Sequence, residues 1–345
     1  MVILVAAIAA IILYFKFGNT ESNKGMDPRG FSISNTGTYG TAGWMTEKEM
    51  KEVFEFSTPD KAEGMILGER KGKVVCLPKD TRLNRHTTVF GASGTMKSRA
   101  VIRNMIFQCI KRGESVLVSD PKSELYNDCS ELFRQNGYEV KVFNLVDPKH
   151  SDTWNCIADI SDDTLMAQVL TNVIIGNTSQ GKGDHFWDNG ETNLLKAIVL
   201  YVAYDDARTP DQKNLWEVYQ MLINTSEKQL AEMFKRLPLG HPAQAPYRLY
   251  EQASDNVRSG ILLGLGTRLQ VLQNLEVARL ISGNDIDLTA PGSKKCAYFI
   301  ILSDQETSMA FLSSLFFSFL FIKLTRFADS CPGGHCPIPV NLILD

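Results

Sequence analysis

The stretch Thr87-Thr88-Val89-Phe90-Gly91-Ala92-Ser93-Gly94-Thr95-Met96-Lys97-Ser98-Arg99 decides the fold. An apolar run from Thr87 to Phe90 predicts a strand, a glycine-rich turn follows, and a helical pattern runs from about Lys97 to Arg112. Strand, glycine-rich turn and helix in that order are the setting of a phosphate-binding loop. Consecutive backbone N–H groups in such a turn converge on phosphate oxygens, and the helix N-terminus adds partial positive charge. Gly91, Ala92, Ser93, Gly94, Thr95, Met96, Lys97 and Ser98 are therefore the candidate cofactor-binding residues. Lys97 would reach the β and γ phosphates, and the Ser98 hydroxyl would ligate Mg2+. Met96 departs from the pattern, which has glycine before the lysine. If the position needs positive φ, a methionine there is strained.

Outward from the loop, the chain continues as an α/β domain. A second strand is predicted at Ser115 to Val118, a helix at Glu124 to Gln135 closed by Asn136-Gly137, and a third strand at Glu139 to Phe143. This alternation predicts a parallel sheet. From Thr153 to Ser282 strand-like runs almost vanish. Helices are expected at Thr164 to Ile175, Trp187 to Tyr204, Leu215 to Asn224, Glu227 to Arg236 and Tyr247 to Val277, so the interval reads as an all-α insertion. Strand character returns at Cys296 to Leu302, followed by a helix from about Glu306 to Phe327 and a terminal strand, Val340 to Leu344. That last run ends in Asp345, a carboxylate placed to meet the Mg2+ shell as in a Walker B strand. Lys97 and Asp345 are the candidate catalytic residues, and Ser98 and Asp345 the candidate metal ligands. No residue follows Asp345 to polarise water, and the chain reads as a fragment of a longer protein.

The 345 residues, 22% charged and 44% hydrophobic, are those of a globular chain of about two domains. A formal net charge of −3 excludes a surface that is basic throughout, so contact with nucleic acid must be local. Lys182, Lys228, Lys235 and Arg236 in the helical interval are candidates for it. Seven scattered cysteines argue against a disulfide framework and for a reducing compartment.

Residues Val2 to Phe15 carry no charge and precede Lys16, Lys24 and Arg29, which predicts a membrane anchor over 1–17 with the rest of the chain cytoplasmic. The apolar segment Met309 to Ile322, about 14 residues, is too short for a span of ~20 and is expected to be a crossover helix buried on the sheet. The expected organisation is anchor 1–17, linker 18–60 with a short helix at Thr46 to Phe54, nucleotide-binding part 61–152, all-α domain 153–282, and a second nucleotide-binding part 283–345 that stops at Walker B.

Three smaller clusters have alternatives. Asp120, in Asp120-Pro121-Lys122-Ser123-Glu124, either orients water or metal or belongs to a helix start capped by its neighbours. Asp184-His185-Phe186-Trp187-Asp188 reads as packing by Phe186 and Trp187 rather than metal binding. Cys331, His335 and Cys336 offer three zinc ligands without a fourth, around a Pro332-Gly333-Gly334 turn.

With these pieces in place the chain resembles the TraG-like coupling proteins of type IV secretion systems, the conjugative DNA transfer ATPases. The resemblance rests on GASGTMKSR at Gly91 to Arg99, SVLVSDPKSELY at Ser115 to Tyr126, NGYEVKVFNLVDP at Asn136 to Pro148, FWDNGETNLLKAIVLYV at Phe186 to Val202, and the closing VNLILD. It implies a RecA-like P-loop domain interrupted by an all-α domain, an N-terminal transmembrane helix, ATP and Mg2+ as cofactors, and a homo-hexamer in the cell inner or plasma membrane, crossing it once or twice. The implied partners are relaxase-bound single-stranded DNA and the proteins of the secretion channel. The alternatives are an FtsK-like DNA translocase and a recruitment platform that binds nucleotide without turnover.

Overall fold

A computed structural model describes residues 25–26, 32–33, 43–160, 163–179, 185–302 and 308–345. The anchor expected over 1–17, about half of the linker, Lys182 and Asp184 lie outside the described residues. The chain divides into two compact units, 1–56 and 57–345. The first contains a strand pair, Gly25–Met26 with Ser32–Ile33, and a helix at Glu47–Val53, where Thr46 and Glu49 form a reciprocal capping box.

The second unit opens with a hairpin that the hydrophobic pattern had not suggested, β1 (Met65–Arg70) antiparallel to β2 (Lys73–Leu77). Its two-residue turn, Lys71-Gly72, has both residues at positive φ, +51° and +77°, the twist that suits a tight hairpin. Next comes α1 (Arg103–Arg112), closed by Gly113 in the left-handed conformation, then β3 (Ser115–Ser119), α2 (Glu124–Gln135) and β4 (Glu139–Asn144). Lys111 and Arg112 at the end of α1 donate to the carbonyls of Asp60, Ala62 and Glu63 and hold the segment leading into the hairpin against the helix.

The helical interval comprises α3 (Thr164–Thr178), α4 (His185–Ala203), α5 (Leu215–Asn224), α6 (Glu227–Lys235), α7 (Gln244–Glu251), α8 (Asp255–Arg268) and α9 (Leu275–Leu280). The single helix expected from Tyr247 to Val277 is three α-helices. Ser254 and Asn274 adopt extended backbone at the breaks, and the Asn274 side chain accepts from the amides of Glu276 and Val277. Such caps restart a helix, and apolar periodicity runs through them unmarked.

The chain then returns to the sheet with β5 (Cys296–Ile301), crosses it with α10 (Ala310–Ser330) and ends with β6 (Val340–Leu344). Among the described residues the sheet has four parallel strands in the order β4-β5-β3-β6, so strands from both sides of the helical interval form one sheet. β3 and β5 are buried along their whole length, as central strands of a parallel sheet covered on both faces must be. Helix α10 is long and apolar enough to cross a membrane by length and composition. Its Phe311, Leu312, Leu315, Phe316, Phe319 and Leu320 are nevertheless buried in the core. Phe316 stacks on Phe143 of β4 at 5.0 Å and meets Trp154 edge-on at 5.2 Å, so the helix packs on the sheet as the sequence suggested. The same core continues from Leu117 and Tyr298 through α10 into α3, α4 and α5.

One expected strand is missing. Thr87 to Phe90 has no regular secondary structure, and Phe90 is 92% exposed. Residues Thr87 to Val89 face Leu342 to Leu344 of the edge strand β6 across a cavity of about 390 Å3. Without a ladder partner the apolar run has no backbone hydrogen bonds to hold it extended.

Candidate nucleotide-binding site

The parallel register sets the geometry. Ser119 lies opposite Leu344, so Asp120 and Asp345 emerge side by side from the carboxyl ends of β3 and β6. This edge is where open α/β sheets bind ligands. The Asp345 amide donates to the Ser119 carbonyl at 3.3 Å, extending the ladder by one rung.

The glycine-rich loop comes down onto this edge. The Ser98 hydroxyl lies 2.9 and 3.0 Å from the two carboxylate oxygens of Asp345, across 247 residues of sequence. The Lys97 ammonium donates to the carbonyls of Gly91 at 2.8 Å and Ala92 at 3.0 Å, folding back over its own loop. The Thr95 hydroxyl and amide both donate to the Ala92 carbonyl. Gly91 has no room for a side chain: a Cβ there would fall 2.6 Å from the Thr95 hydroxyl and 3.3 Å from the Lys97 stem.

Met96 has φ +61°, beside Gly94 at φ +79°. The position before the lysine does require the left-handed conformation, where a side chain is strained, and the Met96 side chain turns outward at 65% exposure. The helix beyond begins with a π-helical turn, Ser98–Ile102, before it tightens into α1. Wide turns of this kind recur at functional sites because they let one side chain leave the helix's regular angular order.

Loop and strand ends enclose a cavity of about 630 Å3, lined by Ser93 to Arg99, Arg103, Pro121, Lys122, Glu124 and Asp345. The donor set suits a magnesium-bound phosphate: a hydroxyl and a carboxylate in contact on the sheet edge, an ammonium, and a turn with two left-handed residues. Arg99, Arg103 and Lys122 also line the cavity, although the loop motif does not assign them to the ligand. Arg99 and Arg103 lie one helical turn apart just past Ser98, the spacing that would have flagged them as facing the same ligand.

Asp120 is 1% exposed, and its carboxylate accepts from the Tyr126 amide at 2.8 Å and from the amides of Lys122 and Leu125. Burial pushes its carboxyl above the usual range, those amides pull it down, and the nearby Asp345 charge adds to the upward push. The start of α2 is therefore capped, but by Asp120 itself and not by its neighbours: Ser123 sits at φ +59° and makes no side-chain cap.

The other clusters lie away from this edge. Phe186 and Trp187 meet edge to face at 5.7 Å; Trp187 packs on Gly260 while Phe186 stays 56% exposed. Asp188 pairs with Arg268 at 2.6 Å. Cys331 to Cys336 form a turn with Gly333 and Gly334 at positive φ, and the Gly334 amide donates to the Cys331 carbonyl. Lys228, Lys235 and Arg236 are exposed on and just after α6.

The model of the family described as Type IV secretory system Conjugative DNA transfer matches residues 33–345. The chain belongs to that family. Among solved structures it is similar to the unbound bacterial conjugative coupling protein TrwBdeltaN70, with a TM-score of 0.57 and 17% identity over 85% of this chain and 60% of that one. A trigonal form of the same protein in complex with sulphate gives 0.58 and 17%, covering 86% and 62%. The plasmid coupling protein TrwB in complex with ADP and Mg2+ gives 0.56 and 18%, again covering 86% and 62%. The chain thus shares the α/β fold of these coupling proteins and spans about three-fifths of their length. No curated protein sequence matches it.

Proposed function

We propose that this chain is the nucleotide-binding part of a membrane-anchored coupling protein that binds ATP with Mg2+, recruits relaxase-bound single-stranded DNA and powers its passage through a type IV secretion channel. The contact of Ser98 with Asp345 at the base of the cavity carries this reading, because it joins two motifs far apart in sequence into one metal-and-phosphate site. In it Gly91, Ala92, Ser93, Gly94, Thr95 and Met96 wrap the phosphates, and Lys97 leaves its own carbonyls to neutralise their charge. Ser98 and Asp345 would hold Mg2+, which when bound would offset part of the phosphate charge. The organisation proposed with it is an anchor over 1–17, linker 18–60, nucleotide-binding parts 61–152 and 283–345, an all-α domain over 153–282, and a homo-hexamer at the inner or plasma membrane. Six converging copies would let a few exposed cations such as Lys228, Lys235 and Arg236 hold a phosphate backbone despite the net negative charge.

A second reading, a platform that binds nucleotide without turnover, draws on the strained Met96. Titration of the full chain with MgATP tests the shared premise. Lys97→Ala should weaken binding at least about tenfold, the scale of a lost charge-assisted contact. Wild-type and variant chains with equal affinity would reject the site. ATP hydrolysis stimulated by single-stranded DNA favours the motor, and binding with relaxase capture but no hydrolysis favours the platform.

A further inference from the structure

We infer that Lys122 is a second phosphate-binding cation of this site and reads the terminal phosphate of a bound nucleoside triphosphate. The inference rests on the nucleotide-binding reading above.

The cavity is lined by four cations, Lys97, Arg99, Arg103 and Lys122. Lys97, Arg99 and Arg103 belong to the loop and the helix it opens, and Arg103 is paired with Asp128 of α2. Lys122 alone comes from the other wall, formed by Pro121, Lys122 and Glu124. It is exposed, and among the described residues its ammonium has no hydrogen bond or ion pair.

The turn that carries it is built to hold still. Asp120 is buried and takes the amides of Lys122, Leu125 and Tyr126, while Ser123 is kept at φ +59° where a serine is strained. A strained residue that neighbouring bonds over-determine is a mark of a functional turn. The capping has a further consequence. Amides at the start of α2 that would otherwise offer an anion site are occupied by Asp120, so an anion on this wall must be met by a side chain.

Position along the sheet edge selects the phosphate. The segment leading into the loop faces one side of β6, and β3 pairs with the other, so Asp345 stands between the loop and the Asp120 turn. Lys122, two residues beyond Asp120, is therefore across the Ser98–Asp345 pair from the loop. A diphosphate held by the loop ends before reaching it, whereas a triphosphate reaches past the pair. The magnesium complex of a triphosphate still carries net negative charge, which one loop lysine does not neutralise.

Calorimetric titration of the full chain with MgATP and with MgADP tests this on wild type, Lys97→Ala, Lys122→Gln and Lys122→Arg. Lys122→Gln should weaken MgATP about tenfold while changing MgADP less than about twofold, and Lys122→Arg should retain most of the preference for MgATP, since a cation at this point acts through a charge-assisted contact. Lys97→Ala should weaken both ligands. An unchanged MgATP to MgADP affinity ratio in Lys122→Gln, whether both affinities fall together or neither moves, overturns the assignment. Failure of wild type to bind either ligand instead overturns the nucleotide-binding reading itself.

Discussion

The sheet edge and the helical interval are built on opposite principles. Within the interval and against α10, side chains are fully buried and interlocked: Phe234 stacks on Tyr247 at 4.0 Å, and Trp154 meets both Phe316 and Phe319 edge-on. At the edge, Met96 and Ser123 sit in left-handed backbone, Thr87 to Phe90 has no strand partner, and Lys97 satisfies itself on its own loop. Stability is concentrated where packing is dense, and the strained, under-bonded segments collect where a ligand would supply the missing partners.

The sharpest way to break this contrast is to cut into the packed side. Phe316→Ala removes a ring held between Phe143, Trp154 and Phe317 and should cost about 3–5 kcal/mol in urea unfolding. A loss below 1 kcal/mol would mean that this core carries far less of the stability than its burial implies.

The next largest effect lies at the amino end of the sheet, opposite the cavity. Glu114, 4% exposed, pairs with Arg112 at 2.7 Å and accepts from the Asn341 amide of β6 at 3.1 Å. Burial alone would raise its carboxyl, but the hydrogen bond and charge of Arg112, then Asn341 and Arg85, leave it below the usual value. The folded state therefore favours the ionised form. That contribution is complete above the unfolded carboxylate pKa of about 4.3 and disappears as pH falls through the lower folded value. Glu114→Gln, which leaves Arg112 poorly paired, should cost about 3 kcal/mol at pH 7 and narrow toward wild type in acid. A gap of constant size from pH 7 to pH 3 would contradict the ion-pair account.

The smallest change tests the strained side. Met96→Gly relieves a left-handed methionine, worth about 1–2 kcal/mol, against the entropy glycine adds to the unfolded chain, so net stabilisation should stay below about 1 kcal/mol. Thermal unfolding should show a small rise in midpoint, and a clear fall would show that the Met96 side chain does something useful outside the loop.

Much of this architecture was written in local patterns. Helix Glu124–Gln135, closed by Asn136-Gly137, and strand Val340–Leu344 fall where periodicity and turn chemistry put them, and the loop, Lys97, Ser98 and Asp345 come together as their motifs suggested. What escaped depended on partners or on a single cap. The β1–β2 hairpin carried its signal in Lys71-Gly72, overshadowed by the charged residues around it. The breaks at Ser254 and Asn274 interrupt an apolar periodicity that continues on both sides. Thr87 to Phe90 has strand composition, but composition cannot supply a ladder. Lys122 lay inside a quoted motif, yet only the register of β3 with β6 shows which wall it occupies.

The wide turn Ser98–Ile102 ties these observations to a question of phase. The face of α1 is fixed by Ile106 and Cys109 in the core beneath β3, whereas the direction of Ser98 is fixed by Asp345. An unbroken α-helix advances about 100° per residue and would bind those two demands to one angular setting. The extra residue in the turn frees one demand from the other, so the hydroxyl meets the strand end while the helix stays seated.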